Sequence, residues 1–237
     1  MGFRRGPNIV KDELVLALDA GSPRSYPGTG TTWTDLSPNK VAYTLSGGAT
    51  FNSGNQGSIV FDGTNDEVRL NGVGISDWGS PFTMDVWFYV PTGASWDGGT
   101  GRLSTIFANV GGYGGIYGLA KWPTEGEAGL YVRGDNGGIS STVTGLARDT
   151  WHNLVGVWTG QASSLYYNGS LTSGPNGSAR TGIPDTTNLS LGLARAFSGS
   201  TGAWFEGRMS TAKYYFKALN STEVLQNYNG LKNRFGL

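Results

Sequence analysis

Phe82-Thr83-Met84-Asp85-Val86-Trp87-Phe88-Tyr89-Val90 alternates with a period of two over nine residues. In an extended chain Phe82, Met84, Val86, Phe88 and Val90 fall on one face, and Thr83, Asp85, Trp87 and Tyr89 on the other. A helix would scatter those five apolar side chains around its axis, whereas a strand lines them up. Only a second sheet covers so wide an apolar face, so the stretch predicts two packed sheets.

Shorter runs repeat the signal on either side: Leu14 to Leu18, Ser58 to Phe61, Leu103 to Phe107, Ile116 to Ala120 and Leu130 to Arg133, then Asn153 to Thr159, Leu165 to Asn168, Leu189 to Leu193 and Trp204 to Phe216. Asp19-Ala20-Gly21-Ser22-Pro23 ends the first run with turn-forming residues. Asn168-Gly169, between Leu165-Tyr166-Tyr167 and Ser170-Leu171-Thr172, is the dipeptide of a type I′ hairpin, in which both central residues need positive φ. About a dozen short strands with glycine-rich turns predict a sandwich or closed barrel, all-β and antiparallel. One helix is expected near the C-terminus. Asn220 caps it, Glu223 completes a capping box, Leu219 and Val224 form a hydrophobic staple, Val224, Leu225 and Tyr228 share a face, and Gly230 stops it.

Composition narrows the function classes. Forty glycines set against seventeen acidic and seventeen basic residues describe a chain that turns often and carries little charge, which argues against a helical bundle or coiled coil. The formal net charge of zero removes the basis for nucleic-acid binding, since phosphate contacts rely on clustered Lys and Arg. Without cysteine there is no disulfide framework or thiolate metal site, and a lone His152 makes no multi-histidine site. Leu14 to Leu18 is too short for a signal-peptide core, and no apolar run reaches membrane-spanning length, so neither a leader nor membrane insertion is expected. The 237 residues divide into an arm, 1–12, interrupted by Gly2, Gly6 and Pro7, and one domain, 13–237. The arm reads either as a frayed terminus or as a tether in which Phe3, Arg4 and Arg5 meet a neighbouring subunit.

Four stretches resemble a known family. Leu14-Val15-Leu16-Ala17-Leu18-Asp19-Ala20-Gly21, followed by Pro23 to Gly28, Thr32-Trp33 and Asp35-Leu36-Ser37, resembles the opening of concanavalin A-like, laminin-G-type jelly-roll domains of bacterial and phage surface proteins. Ser58-Ile59-Val60-Phe61-Asp62-Gly63-Thr64-Asn65-Asp66 is similar to the next landmark, and Trp151 to Trp158 with Leu165 to Gly169 to the central hairpin. Phe205-Glu206-Gly207-Arg208-Met209, running on to Ala218-Leu219 and the Glu223 helix, resembles the closing strand and brace. The resemblance implies a two-sheet jelly-roll sandwich. Two departures count against an acidic, cation-linked site: Ser37-Pro38-Asn39-Lys40-Val41 replaces a glycine- and asparagine-rich turn, and Ser210 and Thr211 stand where acidic residues often occur.

Catalysis finds little support in the residues. Glycoside cleavage needs two carboxylates across the sugar, and the only Glu-x-Glu is Glu125-Gly126-Glu127, in a loop beside Pro123. His152, next to Trp151 at a strand start, reads as a hydrogen-bonded structural imidazole. No Gly-x-Ser-x-Gly elbow is present. Asp62-Gly63-Thr64-Asn65-Asp66 leaves two readings open, a self-bonded polar turn or a calcium loop using Asp62 and Asp66. Sugar binding requires rings beside polar groups. Trp96 with Asp97, Tyr113, Trp122, and Phe197 with Trp204 all fall in loop-like segments, while Trp87, Trp151 and Trp158 lie in strand patterns and are expected in the core.

The expectation is a non-catalytic domain needing no cofactor. The opening stretch, most similar to versions in phage virions, implies a virion surface protein made in the host cytoplasm: a head decoration, fibre, collar or tail-associated module. It would contact other virion proteins or copies of itself, with a lectin-like sandwich that meets host polysaccharide. The alternative is a free-standing carbohydrate-binding module.

Overall fold

The computed structural model describes residues 8–97, 103–109, 116–182, 188–193 and 204–237. Among them are sixteen strands: β1 Leu14–Asp19, β2 Thr32–Thr34, β3 Ala42–Ser46, β4 Thr50–Asn52, β5 Ser58–Asp62, β6 Glu67–Leu70, β7 Phe82–Tyr89, β8 Ser104–Asn109, β9 Ile116–Lys121, β10 Ala128–Gly134, β11 Gly137–Val143, β12 Trp151–Trp158, β13 Ser163–Tyr167, β14 Ser170–Asn176, β15 Leu189–Leu191 and β16 Glu206–Tyr215. Helix α1 spans Ser221–Leu231 and runs into a 3-10 turn, Lys232–Phe235. The strands form two antiparallel eight-stranded sheets. The first runs β14-β13-β12-β7-β16-β5-β4, with β1 also pairing β16, and the second runs β11-β10-β9-β8-β15-β6-β3-β2. These are the two packed sheets expected from the alternation, and the jelly-roll sandwich that the resemblance implies.

Strand β7 sits at the centre of the first sheet, between β12 and β16. Phe82, Met84, Val86 and Phe88 face the second sheet and are fully buried. The opposite face is buried as well, because the C-terminal segment lies across it. Trp87 stacks on Phe235 at 4.2 Å and on Tyr228 at 5.7 Å between ring centroids. Asp85 pairs with Lys213 at 3.1 Å and takes N–H groups from Asn153 and Asn227. Taking a carboxylate and an ammonium out of water is costly, and here the carboxylate finds partners on three separate elements, β12, β16 and α1, while the ammonium is held by the carboxylate itself.

The hairpin forms as expected: Asn168 and Gly169 have φ of 47° and 79°, both in the left-handed region that a type I′ turn demands. Helix α1 has its full capping box, with the Asn220 side chain accepting from Glu223 N and the Glu223 side chain from Asn220 N. Two details of that helix differ from the sequence reading. Gly230 lies inside it, and the left-handed terminator is Gly236, after the 3-10 turn. Leu225 is exposed, so Val224 and Leu231 carry the buried face. The domain also begins before residue 13. Val10 is buried, its N–H donates to Asn227 Oδ1 at 2.8 Å, and its carbonyl accepts from the Tyr215 hydroxyl at 3.2 Å. Residues 8–12 therefore belong to the folded body, while Phe3, Arg4 and Arg5 lie outside the described residues.

Candidate functional site

Strand β16 enters the first sheet between β5 and β7, placing Glu206 opposite Asp62, and Arg208 between Val60 and Tyr89. Asp62, Val60 and Tyr89, like Glu206 and Arg208, alternate onto the outer face. Between Glu206 and Arg208 stands Gly207 with φ of 145°, where a Cβ would lie 2.4 Å from the Tyr89 carbonyl. Only glycine fits that position, where a side chain would run into the buried Phe205 ring. Beside it lies a groove of about 250 Å³ lined by Val60, Phe61, Asp62, Pro91, Glu206, Gly207 and Arg208.

Each polar wall of the groove is fixed by its neighbours. The Arg208 guanidinium lies over the Tyr89 ring at 4.8 Å, and the Tyr89 hydroxyl donates to Asp149 Oδ1 at 3.0 Å. Glu206 Oε2 accepts the Ser95 N–H at 2.7 Å, tying the wall to the loop after β7. Asp62 Oδ1 accepts the N–H of Thr64 at 2.7 Å, and Asp66 Oδ2 accepts the N–H of Asp62 at 2.8 Å. The Asp62–Asp66 segment bonds to its own backbone in this way. Asp66 is buried, and that burial raises its carboxyl pKa. Among the described residues no group of three or more His, Asp or Glu side chains is placed to hold a metal ion.

Behind the groove the sequence candidates gather around a buried lysine. Lys121 is fully buried, with Nζ donating to the carbonyls of Ser95 at 3.1 Å and Glu206 at 3.2 Å, and lying over the rings of Phe205 and Trp96. Trp96 is corrected by its position: it is 4% exposed, with Nε1 bonded to the Glu127 carbonyl and Arg148 across its ring, so it packs and presents no platform. Asp97 is half-buried and accepts from the Ser95 hydroxyl at 3.3 Å. Trp122, half-buried, bonds the same Glu127 carbonyl through its backbone N–H. Trp204 is half-buried, and its carbonyl accepts from Ser104 Oγ. Tyr113 and Phe197 fall outside the described residues. Glu125 of the Glu-x-Glu is exposed in the turn and paired with Arg148 at 2.7 Å.

His152 takes the structural role read from the sequence. Its Nε2 lies 2.8 Å from the Ala147 carbonyl and its Nδ1 3.0 Å from the Tyr167 hydroxyl. A carbonyl only accepts, so the proton sits on Nε2 and Nδ1 takes the tyrosine's. Burial lowers the imidazole pKa below its ordinary value. What sequence reasoning missed is the groove's cation, Arg208, and the Tyr89 ring on which it lies. The visible signal was acid-glycine-base in Glu206-Gly207-Arg208, but the pairing with β5 and β7 is a property of the fold.

The comparison with curated proteins finds no match. Among solved structures, the botulinum neurotoxin type G receptor-binding domain superposes with a TM-score of 0.64 at 14% identity, covering 92% of this chain and 51% of that one. The chain thus spans about half the length of such toxin domains. Domain 4 of AbnA, a GH43 extracellular arabinanase from Geobacillus stearothermophilus solved with arabinotriose, gives 0.67 at 14% identity, covering 92% of this chain and all of that domain. Trypanosoma rangeli sialidase in complex with the inhibitor DANA gives 0.61 at 15%, covering 91% of this chain and 32% of the enzyme. These likenesses are of fold. The sequence itself goes further, since the family model described as the concanavalin A-like lectin/glucanases superfamily matches residues 62–225, from the Asp62 turn into helix α1, and the chain belongs to that superfamily.

Proposed function

We propose that this chain is a non-catalytic carbohydrate-binding module that offers the groove between Asp62, Glu206 and Arg208 to a glycan. One observation carries the reading: among the described residues the Arg208 guanidinium, laid on Tyr89, has no hydrogen-bond or ion-pair partner, although carboxylates line the same groove. Five N–H donors held in place and left unspent are a recognition element. The carboxylates serve as hydroxyl acceptors, each already receiving backbone N–H groups, and the reading requires no cofactor. The arabinotriose complex of the arabinanase domain supports it by showing the same fold in a sugar-bound setting.

The test is a glycan array on the isolated domain, with and without calcium. Binding to at least one oligosaccharide series is expected, and Arg208→Ala should weaken it roughly ten-fold or more, about 1.4 kcal/mol, for loss of a charge-assisted hydrogen bond. A clean negative for the unmodified chain under both conditions overturns the reading. For the setting of the module, the similarity of Leu14 to Gly21 to phage virion domains supports display on a virion surface, with Phe3, Arg4 and Arg5 contacting neighbouring virion proteins.

A further inference from the structure

The groove's charges define its ligand more narrowly than its shape does. Asp62 and Glu206 stand as cross-strand partners on one wall and can only accept hydrogen bonds when ionised. Arg208, two residues along β16, can only donate, and it is turned toward Tyr89 rather than toward either carboxylate. Among the described residues no ion pair joins Arg208 to Asp62 or Glu206, although opposite charges share the groove. The carboxylate oxygens Asp62 Oδ1 and Glu206 Oε2 are held instead by the backbone N–H groups of Thr64 and Ser95. The fold thus keeps the acceptors, Asp62 and Glu206, and the donor, Arg208, unpaired with each other in one groove whose lining also includes Val60 and Pro91.

We infer that this groove selects uncharged sugars bearing adjacent hydroxyls and discriminates against acidic sugars; the inference rests on the glycan reading and names its ligand class. A hydroxyl is donor and acceptor at once, so neighbouring hydroxyls satisfy both together: their hydrogens go to Asp62 and Glu206, and an oxygen receives the Arg208 fork. A carboxylated sugar would satisfy Arg208 alone and bring a third negative charge beside two fixed ones. An ammonium-bearing sugar would suit the carboxylates and leave Arg208 facing a like charge.

The experiment uses pairs of oligosaccharides that differ only in carrying a hydroxymethyl or a carboxylate at C6: galactose against galacturonate, glucose against glucuronate, mannose against mannuronate. Titration of the full chain should give tighter binding of the neutral member wherever a pair binds, by roughly three- to ten-fold at low salt, the size expected for one like-charge contact at about 6 Å in a solvated groove. The gap should narrow as salt is raised through roughly 0.5 M. Asp62→Asn with Glu206→Gln should also narrow it, while a tyrosine-fluorescence or circular-dichroism melt confirms that the variant stays folded. Tighter binding of the uronates, or a preference for neutral sugars that the double variant leaves unchanged, overturns this inference and leaves glycan binding standing. Failure of every member of both series to bind overturns this inference, and a glycan array that is also negative with and without calcium overturns the glycan reading with it.

Discussion

Lys121 is an ammonium group at the end of a sandwich, shut away from water and held by two backbone carbonyls between aromatic rings. Burial pushes its pKa down from 10.5 to about 7; Glu206 opposes that shift, Arg148 adds to it, and Asp97 opposes it. Between those two values the unfolded chain binds a proton that the folded chain does not, so stability rises with pH across the window. The burden of the buried charge is largest below about pH 7 and is relieved as the lysine loses its proton in the folded state. Linkage from pH 7 to 9 corresponds to a gain of roughly 2 kcal/mol, visible as a higher urea midpoint. The scan should stop near pH 9, because buried Tyr117 and Tyr215, whose pKa values burial raises, reverse the trend at higher pH. Lys121→Met should flatten the slope over pH 7–9, though it also strips a donor from the Ser95 and Glu206 carbonyls and costs stability at pH 9. A slope unaltered in the variant would place the titrating group elsewhere.

At the scale of elements, the C-terminal helix does what a third layer does elsewhere: it covers the outer face of the central strands. Its start depends on the Asn220–Glu223 box, so Asn220→Ala should lower stability by about 1 kcal/mol, read as a shift in the denaturation midpoint. The cap was legible in the sequence because its residues are neighbours. The helix's target was not: Thr83 and Asp85 look like the solvent side of β7, yet both are buried, and Asp85 owes this to Asn227, 142 residues away. The same contrast runs through the strands. β7 carried its alternation openly, whereas β2, β3, β4, β6 and β11 passed unread, being short, polar or glycine-bearing; β11 shows only Ile139 and Val143 as apolar residues among seven. At the site, the Asp62 turn was legible as a motif, and Trp96 was misread because its loop position concealed the lysine and arginine that enclose its ring. Glu206 and Arg208 acquire meaning only through β5 and β7, and that registration is set by the whole sheet.

For the molecule as a whole, the question is where the folded body ends and an attachment begins. The chain's beginning is stitched to its end: Val10 is buried beside Tyr215 and Val224, and its peptide groups bond Asn227 and Tyr215. A chain starting at Glu13 loses that burial and leaves the enclosed Asn227 side chain short of a partner. Apolar burial of one valine and an unmet buried polar group are each worth about 1–3 kcal/mol. The thermal midpoint should then fall by on the order of 10 °C. A chain starting at Asn8 keeps every one of these contacts and should melt with the full-length protein. The pair of truncations separates stability from attachment. If the module is displayed on a virion through Phe3, Arg4 and Arg5, the Asn8 form remains fully folded and retains its sugar binding but no longer joins particles when supplied during assembly. Normal incorporation of the Asn8 form would remove residues 1–7 as the tether and leave the sandwich surface to make the contact.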